Sequence, residues 1–226
     1  MSKMSRCYLQ AGIIYILCWT GISAKAVEVF KEDFQEFQTA SPQGINAKWA
    51  VISPAEQDDI VLSDAAEDGL RKKELVLRDN EPELTSYLVG TFQDTIENDG
   101  LLVCRVTLIP ESGDKFSAFM QLRNNFESAV QLRFMGRNGK LELKQPEEFG
   151  WKELAQFEDG KSIRIEIVLN MAASSCDIRI DGETVASAEP LLSSISGINR
   201  IEFSTGIKGE SQGKLILQSV EITSVK

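Results

Sequence analysis

Histidine is absent from all 226 residues. Its absence removes the commonest general base near neutral pH, every histidine-containing triad and most zinc sites. A tyrosine or lysine base remains, with Tyr87 and Lys152 as candidates, but nothing in the sequence pairs them. Prolines number only six, yet no segment sustains a 3.6-residue hydrophobic period, so long helices are missing too. The apolar run from Leu9 to Trp19 is too short and wrongly flanked to span a bilayer.

That run reads as part of a processing segment. Lys3 and Arg6 form a charged start, and Ala24-Lys25-Ala26 has the small-x-small pattern of a cleavage site. The expectation is a signal peptide over residues 1–26, then one domain over residues 27–226, exported to the periplasm or secreted. An acylated Cys18 would need a small residue where Leu17 stands. Cleavage leaves 200 residues with 21 basic and 34 acidic side chains, a formal charge of −13. So acidic a chain argues against nucleic acid or an anionic membrane as partner, since both require cationic patches. Plain solubility accounts for the charge.

What is present is alternation. Ile163, Ile165, Ile167 and Leu169 alternate with Arg164, Glu166 and Asn170, the pattern of a half-buried strand. Cys176, Ile178 and Ile180 repeat it, and Asp181-Gly182 turns the chain into Glu183 to Ala188 as a hairpin. Further strands are expected at Val27 to Phe37, Trp49 to Ile52, Glu74 to Arg78, Tyr87 to Phe92 and Leu101 to Ile109, the last closed by Pro110. Others follow at Phe116 to Arg123, Ala129 to Met135, Leu141 to Lys144, Trp151 to Phe157, Ile198 to Thr205 and Lys214 to Val225. Ser41 to Gly44 reads as a turn and Asp58 to Gly69 as an acidic irregular stretch. Ala65 to Asp68 and Leu191 to Ser194 read as single helical turns. The class is all-β: a two-sheet antiparallel β-sandwich or jelly roll of about a dozen strands.

Two cysteines lie beyond the cleavage site. Cys104 shares parity with Leu102, Val106 and Leu108, and Cys176 with Ile178 and Ile180, so both point into the core. In an oxidising compartment they either form a disulfide or stay buried as small hydrophobes, and the sequence leaves both open.

Lys31-Glu32-Asp33-Phe34, Trp49-Ala50-Val51, Trp151-Lys152-Glu153-Leu154 and Gly160-Lys161 are followed by the Ile163 to Asn170 strand. Asp177 to Gly182 and Leu215 to Ile222 complete a series that resembles the concanavalin A-like lectin and glucanase superfamily, in its laminin-G-like branch of secreted bacterial proteins. The resemblance implies a jelly roll whose first and last strands are neighbours. It implies carbohydrate binding or adhesion more than any reaction, because fold alone does not set function. The hydrolases of the superfamily resemble one another in a Glu-x-Asp-x-x-Glu strand, and none occurs here. Asp177, Asp181 and Glu183 straddle a turn and cannot share one strand face. Its lyases resemble a pattern containing a Gln-Ile-His strand, which a histidine-free chain cannot supply. The resemblance further implies a structural calcium between the first and last strands, with Glu32 and Asp33 at one end and Gln218 at the other. Gln218-Ser219 stands where the superfamily tends toward Asp-Asn. A second acidic group, Asp58, Asp59, Asp64, Glu67 and Asp68, lacks EF-hand spacing and reads as a solvated face.

The binding expectation rests on parity. With Ala118, Met120, Leu122, Val130, Leu132 and Phe134 inward, Gln121, Arg123, Gln131 and Arg133 point outward side by side, with Arg105 and Arg164 as flanking residues. These side chains offer donors suited to sugar hydroxyls and carboxylates. Trp151, or Phe126 at a loop tip, supplies an apolar platform for a sugar ring. The expected role is an exported lectin-like glycan-binding or adhesive module. The alternatives are an atypical glycan hydrolase or lyase, and a structural protein-interaction module.

Overall fold

The computed structural model describes residues 26–35, 48–52, 60–67, 70–79, 85–97, 100–112, 116–146, 150–195, 197–205 and 213–225. The expected leader up to residue 25, the Ser41 to Gly44 turn and Phe37 lie outside them. Among the described residues fifteen strands run in chain order. They are β1 (Ala26–Glu32), β2 (Trp49–Ile52), β3 (Ile60–Glu67), β4 (Leu70–Asp79) and β5 (Tyr87–Glu97). Next come β6 (Leu101–Ser112), β7 (Ser117–Arg123), β8 (Ser128–Met135), β9 (Lys140–Lys144) and β10 (Trp151–Gln156). The last five are β11 (Ile163–Asn170), β12 (Ser175–Ile180), β13 (Glu183–Pro190), β14 (Gly197–Thr205) and β15 (Gly213–Val225).

β15 is the axis of the first sheet. It pairs with β6 from Gly213 opposite Ser112 to Val225 opposite Leu101, with one bulge between Leu217 and Ser219. Its other edge is shared, β4 taking Gly213 to Leu217 and β1 taking Val220 to Val225. The order is β13-β12-β11-β6-β15-β4-β3, with β1 beside β15, and the second sheet runs β10-β9-β8-β7-β14-β5-β2. First and last strands are therefore neighbours, as the resemblance implied. All pairings are antiparallel, and strands such as β8, β9 and β11 bury alternate residues, which is why the sequence alternates there.

Local chemistry fixes several boundaries. Asp181 and Gly182 both have positive φ, 50° and 88°, the geometry of a two-residue hairpin turn joining Ile180 to Glu183. β6 does not stop at Pro110. β11 ends opposite Leu108, so no ladder partner is lost where the proline N–H is missing, and the Pro110 carbonyl accepts the Gly160 N–H at 2.8 Å. The acidic stretch expected to be irregular is β3, an outer strand against β4, so no helical turn forms at Ala65 to Glu67. Leu191 to Ser194 is a pair of bends rather than a helical turn.

The core lies between the sheets. Phe30, Phe34, Trp49 and Phe92 form an aromatic cluster with ring centroids 5.2 to 5.9 Å apart. Gly90 passes beneath it, where an added Cβ would lie 3.0 Å from atoms of both Ile201 and Trp49. Both cysteines are buried free thiols. β11 separates them, with Ile167 opposite Cys104 and Leu169 opposite Cys176. Two strand spacings, about 10 Å, exceed the reach of a disulfide, so the pairing alternative is corrected. Burial, with Glu189 and Asp177 adding to it, pushes the Cys176 thiol up to about 12, and burial pushes Cys104 higher still.

The exposed face of the first sheet carries a row of alternating charge. Arg179, Glu166, Arg105 and Glu221 stand directly opposite one another on β12, β11, β6 and β15. Arg105 Nε meets Glu166 at 2.8 Å and Arg105 also meets Glu221 at 3.2 Å, while Arg179 takes the second Glu166 oxygen at 2.8 Å. Arg105 and Arg164 thus belong to β6 and β11 of the first sheet. They do not flank Gln121 and its neighbours, which lie in the second.

The thiols give a direct prediction. In native protein at pH 8, Cys104 and Cys176 resist iodoacetamide, because neither thiolate is populated or accessible. In urea without reductant both become labelled. Absence of labelling in urea would restore the disulfide.

Candidate functional site on the outer face of the second sheet

The outward positions of the second sheet form three rows across its strands. One runs Glu153, Glu142, Arg133, Phe119, Ser204, Tyr87 and Ile52, from β10 to β2. The second contains Trp151 opposite Lys144, then Gln131, Gln121, Glu202, Val89 and Ala50. A third holds Arg123, Arg200 and Thr91. Parity therefore brings Gln121, Arg123, Gln131, Arg133 and Trp151 to one face, as the sequence anticipates.

The centre of this face is little exposed. Outward-facing Val89, Phe119, Glu202 and Ser204 retain only 6%, 6%, 7% and 3% of their exposure. Trp151, on edge strand β10, is half-buried. Its ring is 6.1 Å from that of Phe119, the Arg133 guanidinium carbon is 4.0 Å from its centroid, and Lys144 Nζ is 5.4 Å away. The result is an indole stacked against a guanidinium, with a second cation over its ring and Phe119 tilted alongside.

Most of the polar residues are already engaged. Arg133 donates twice to Glu142, at 2.9 and 2.6 Å. Arg123 donates to both oxygens of Glu202, at 3.4 and 3.1 Å, and through Nε to the Asn124 carbonyl. Gln121 donates to Glu202 and accepts from the Ser128 hydroxyl at 2.6 Å. Gln131 is different: its half-exposed amide has no hydrogen bond among the described residues. Glu142 and Glu153 stand directly opposite each other, but each has its own cation, Arg133 and Lys140. The Glu153 hydrogen bond and charge raise Lys140 above its ordinary value. The anchored arrangement suits a fixed binding surface, with guanidiniums held flat rather than sweeping through solvent.

Glu142, Lys144, Arg200 and Glu202 escape a reading of β7 and β8 alone, and Phe119, on β7, was passed over. Phe119 did leave a signal: a large aromatic at outward parity between Ala118 and Met120. Phe126 is 86% exposed on the Asn124–Glu127 turn, whose Asn124 Oδ1 accepts the N–H groups of Phe126 and Glu127 at 2.8 and 2.7 Å.

The residues expected to hold calcium lie at the β1–β15 junction. Glu32 Oε1 accepts the Phe34 N–H at 2.9 Å, supporting the left-handed backbone of Phe34 (φ 60°), and Asp33 accepts the Gln35 N–H at 3.2 Å. Gln218, in the β15 bulge, accepts from Ser162 and donates to Glu74, both contacts under 3 Å. Calcium takes six to eight oxygens. One oxygen each of Glu32, Asp33 and Gln218 already accepts a protein donor, and no three acidic or cysteine side chains converge among the described residues. This set does not fit calcium.

The buried carboxylate makes the site testable as structure. Glu202→Ala leaves the Arg123 guanidinium without its carboxylate and lowers urea-derived stability by about 1–2 kcal/mol. Glu153→Ala, which removes an open surface pair, costs about 0.5 kcal/mol or less. Equal costs would mean that Glu202 does not organise the face.

No protein-family model and no curated protein matches the sequence, whereas solved structures do match the fold. A sialidase matches with TM-score 0.68 at 16% identity over 85% of this chain, which spans 18% of the sialidase. The CBM2 module of the evolved Dit of Lactobacillus casei BL23 phage J-1 matches at 0.56 and 12%, over 90% of this chain and 98% of that one. A lectin, UEA-II, in complex with galactose matches at 0.57 and 12%, over 88% and 99%. Identities this low speak for architecture alone. The chain has the two-sheet jelly-roll β-sandwich of the concanavalin A-like type.

Proposed function

We propose that the protein is an exported carbohydrate-binding module that holds a glycan on the outer face of its second sheet. The observation that carries this reading is the half-buried Trp151 indole packed with Phe119 and the stacked Arg133 guanidinium on the outer face of the second sheet. A pyranose presents a C–H face that packs on an indole, and its hydroxyls need donors and acceptors at the rim. Gln131 supplies both from an amide that has no protein partner among the described residues. A lectin and a CBM2 module share the fold, which supports the reading without naming the sugar. The role is binding: no reaction is assigned to Glu142 and Glu153, whose charges are taken up by Arg133 and Lys140. Export rests on the leader-like residues 1–26 and is checked by N-terminal sequencing of exported protein, expected to start at Val27.

Affinity electrophoresis against a polysaccharide panel is the direct test. At least one polysaccharide should retard the protein, equally in EDTA and in calcium. Trp151→Ala should weaken that retention about ten-fold or more, whereas Arg164→Ala on the opposite sheet should leave it unchanged. Trp49 is buried, so a fluorescence change on binding reports Trp151. Retention that survives Trp151→Ala, or no retention by any polysaccharide, sinks the reading.

A further inference from the structure

Arg200 is the group on this face that the pairings above leave out. Its Nε is buried without a hydrogen-bond partner, and among the described residues the side chain has no ion pair. It stands directly opposite Arg123 on β7, with exposed Thr91 on its other side. Two guanidiniums facing each other across neighbouring strands repel, and the one carboxylate between the rows, Glu202, is hydrogen-bonded to Arg123. Among the described residues the corner therefore holds two cations and one anion, with a buried donor unmet, in a chain whose formal charge is −10. Buried donors in folded proteins are ordinarily satisfied, and a guanidinium fork is shaped for two oxygens of one anion.

Building on the carbohydrate-binding reading, we propose that the ligand is an acidic oligosaccharide whose carboxylate or sulfate is held by Arg200, with Arg123 beside it. The Trp151 ring lies against Phe119 on β7, and Arg200 stands opposite Arg123, four residues further along that strand, about 14 Å away. The anionic unit and the ring stacked on Trp151 are therefore different sugar units of one chain, and the intervening units cross Gln131 and Gln121. Specificity for acidic over neutral glycans then arises at one end of the face and affinity for a ring at the other.

The test follows the Arg200 Nε–H resonance of the 15N-labelled protein, identified by its loss in Arg200→Gln. Oligogalacturonate, its methyl ester and inorganic sulfate are titrated at constant ionic strength. A saturable shift with oligogalacturonate marks a carboxylate site and with sulfate a sulfate site, while the methyl ester leaves the resonance in place. For the anion that binds, Arg200→Gln weakens affinity about ten-fold. A resonance that stays fixed with both anions, or moves equally with the ester, overturns the proposal, as does unchanged affinity in Arg200→Gln. Because polysaccharide retention and its Trp151 dependence are read separately, the two failures are distinguishable. A silent Arg200 with intact retention removes only the acidic specificity. An anion response without retention of any polysaccharide removes the carbohydrate-binding reading instead.

Discussion

The register between β15 and β6 is the constraint on which the remaining architecture depends. It joins the end of the chain to its middle over the full length of both strands. Because β1 and β4 divide the other edge of β15 between them, a one-residue slip would turn Leu215, Leu217, Val220 and Ile222 away from the core and displace both neighbours at once. Such pairings close long loops before they yield any packing, so a fold of this kind forms slowly compared with one built on local contacts. The bulge at Gln218 sits where β4 ends and β1 begins, and its hydrogen bonds to Ser162 and Glu74 tie that change-over to adjacent elements.

The two outer faces use charge in contrasting ways. On the first sheet, arginine and glutamate alternate along a row, and Glu166 satisfies an arginine on either side. On the second, carboxylates pin individual guanidiniums while an indole, a phenyl ring and an open amide interrupt the pattern. A saturated face has little left to offer a ligand; an interrupted one has both an apolar surface and unmet donors. The difference separates a face whose charges are saturated from one that leaves groups open.

Alternation made much of this legible in the sequence. Gln121, Arg123, Gln131 and Arg133 share a face because their neighbours are apolar at every second position, and Asp181-Gly182 marks its turn without further context. The partners of those residues were not legible. Glu202 lies on β14, 79 residues from Arg123, and nothing local encodes which strand will lie alongside. The same limit misplaced Arg105 and Arg164, whose outward parity is correct but whose sheet is the other one. β3 was obscured for a different reason: Ile60 to Glu67 lacks clean alternation, and it is paired β4 that makes it a strand. Pro110 misled because its cost depends on whether a neighbouring strand reaches that far, which is a tertiary fact.

Lys152 and Glu189 form an ion pair between β10 and β13, the terminal strands of opposite sheets. The sandwich is thereby stapled along one of its open sides. An unpaired edge is a template on which another chain can add a strand, and here each such edge is held by the other through a charged pair, with Pro190 closing β13. Copies of the chain crowded side by side would meet that charged pair before two such edges could join.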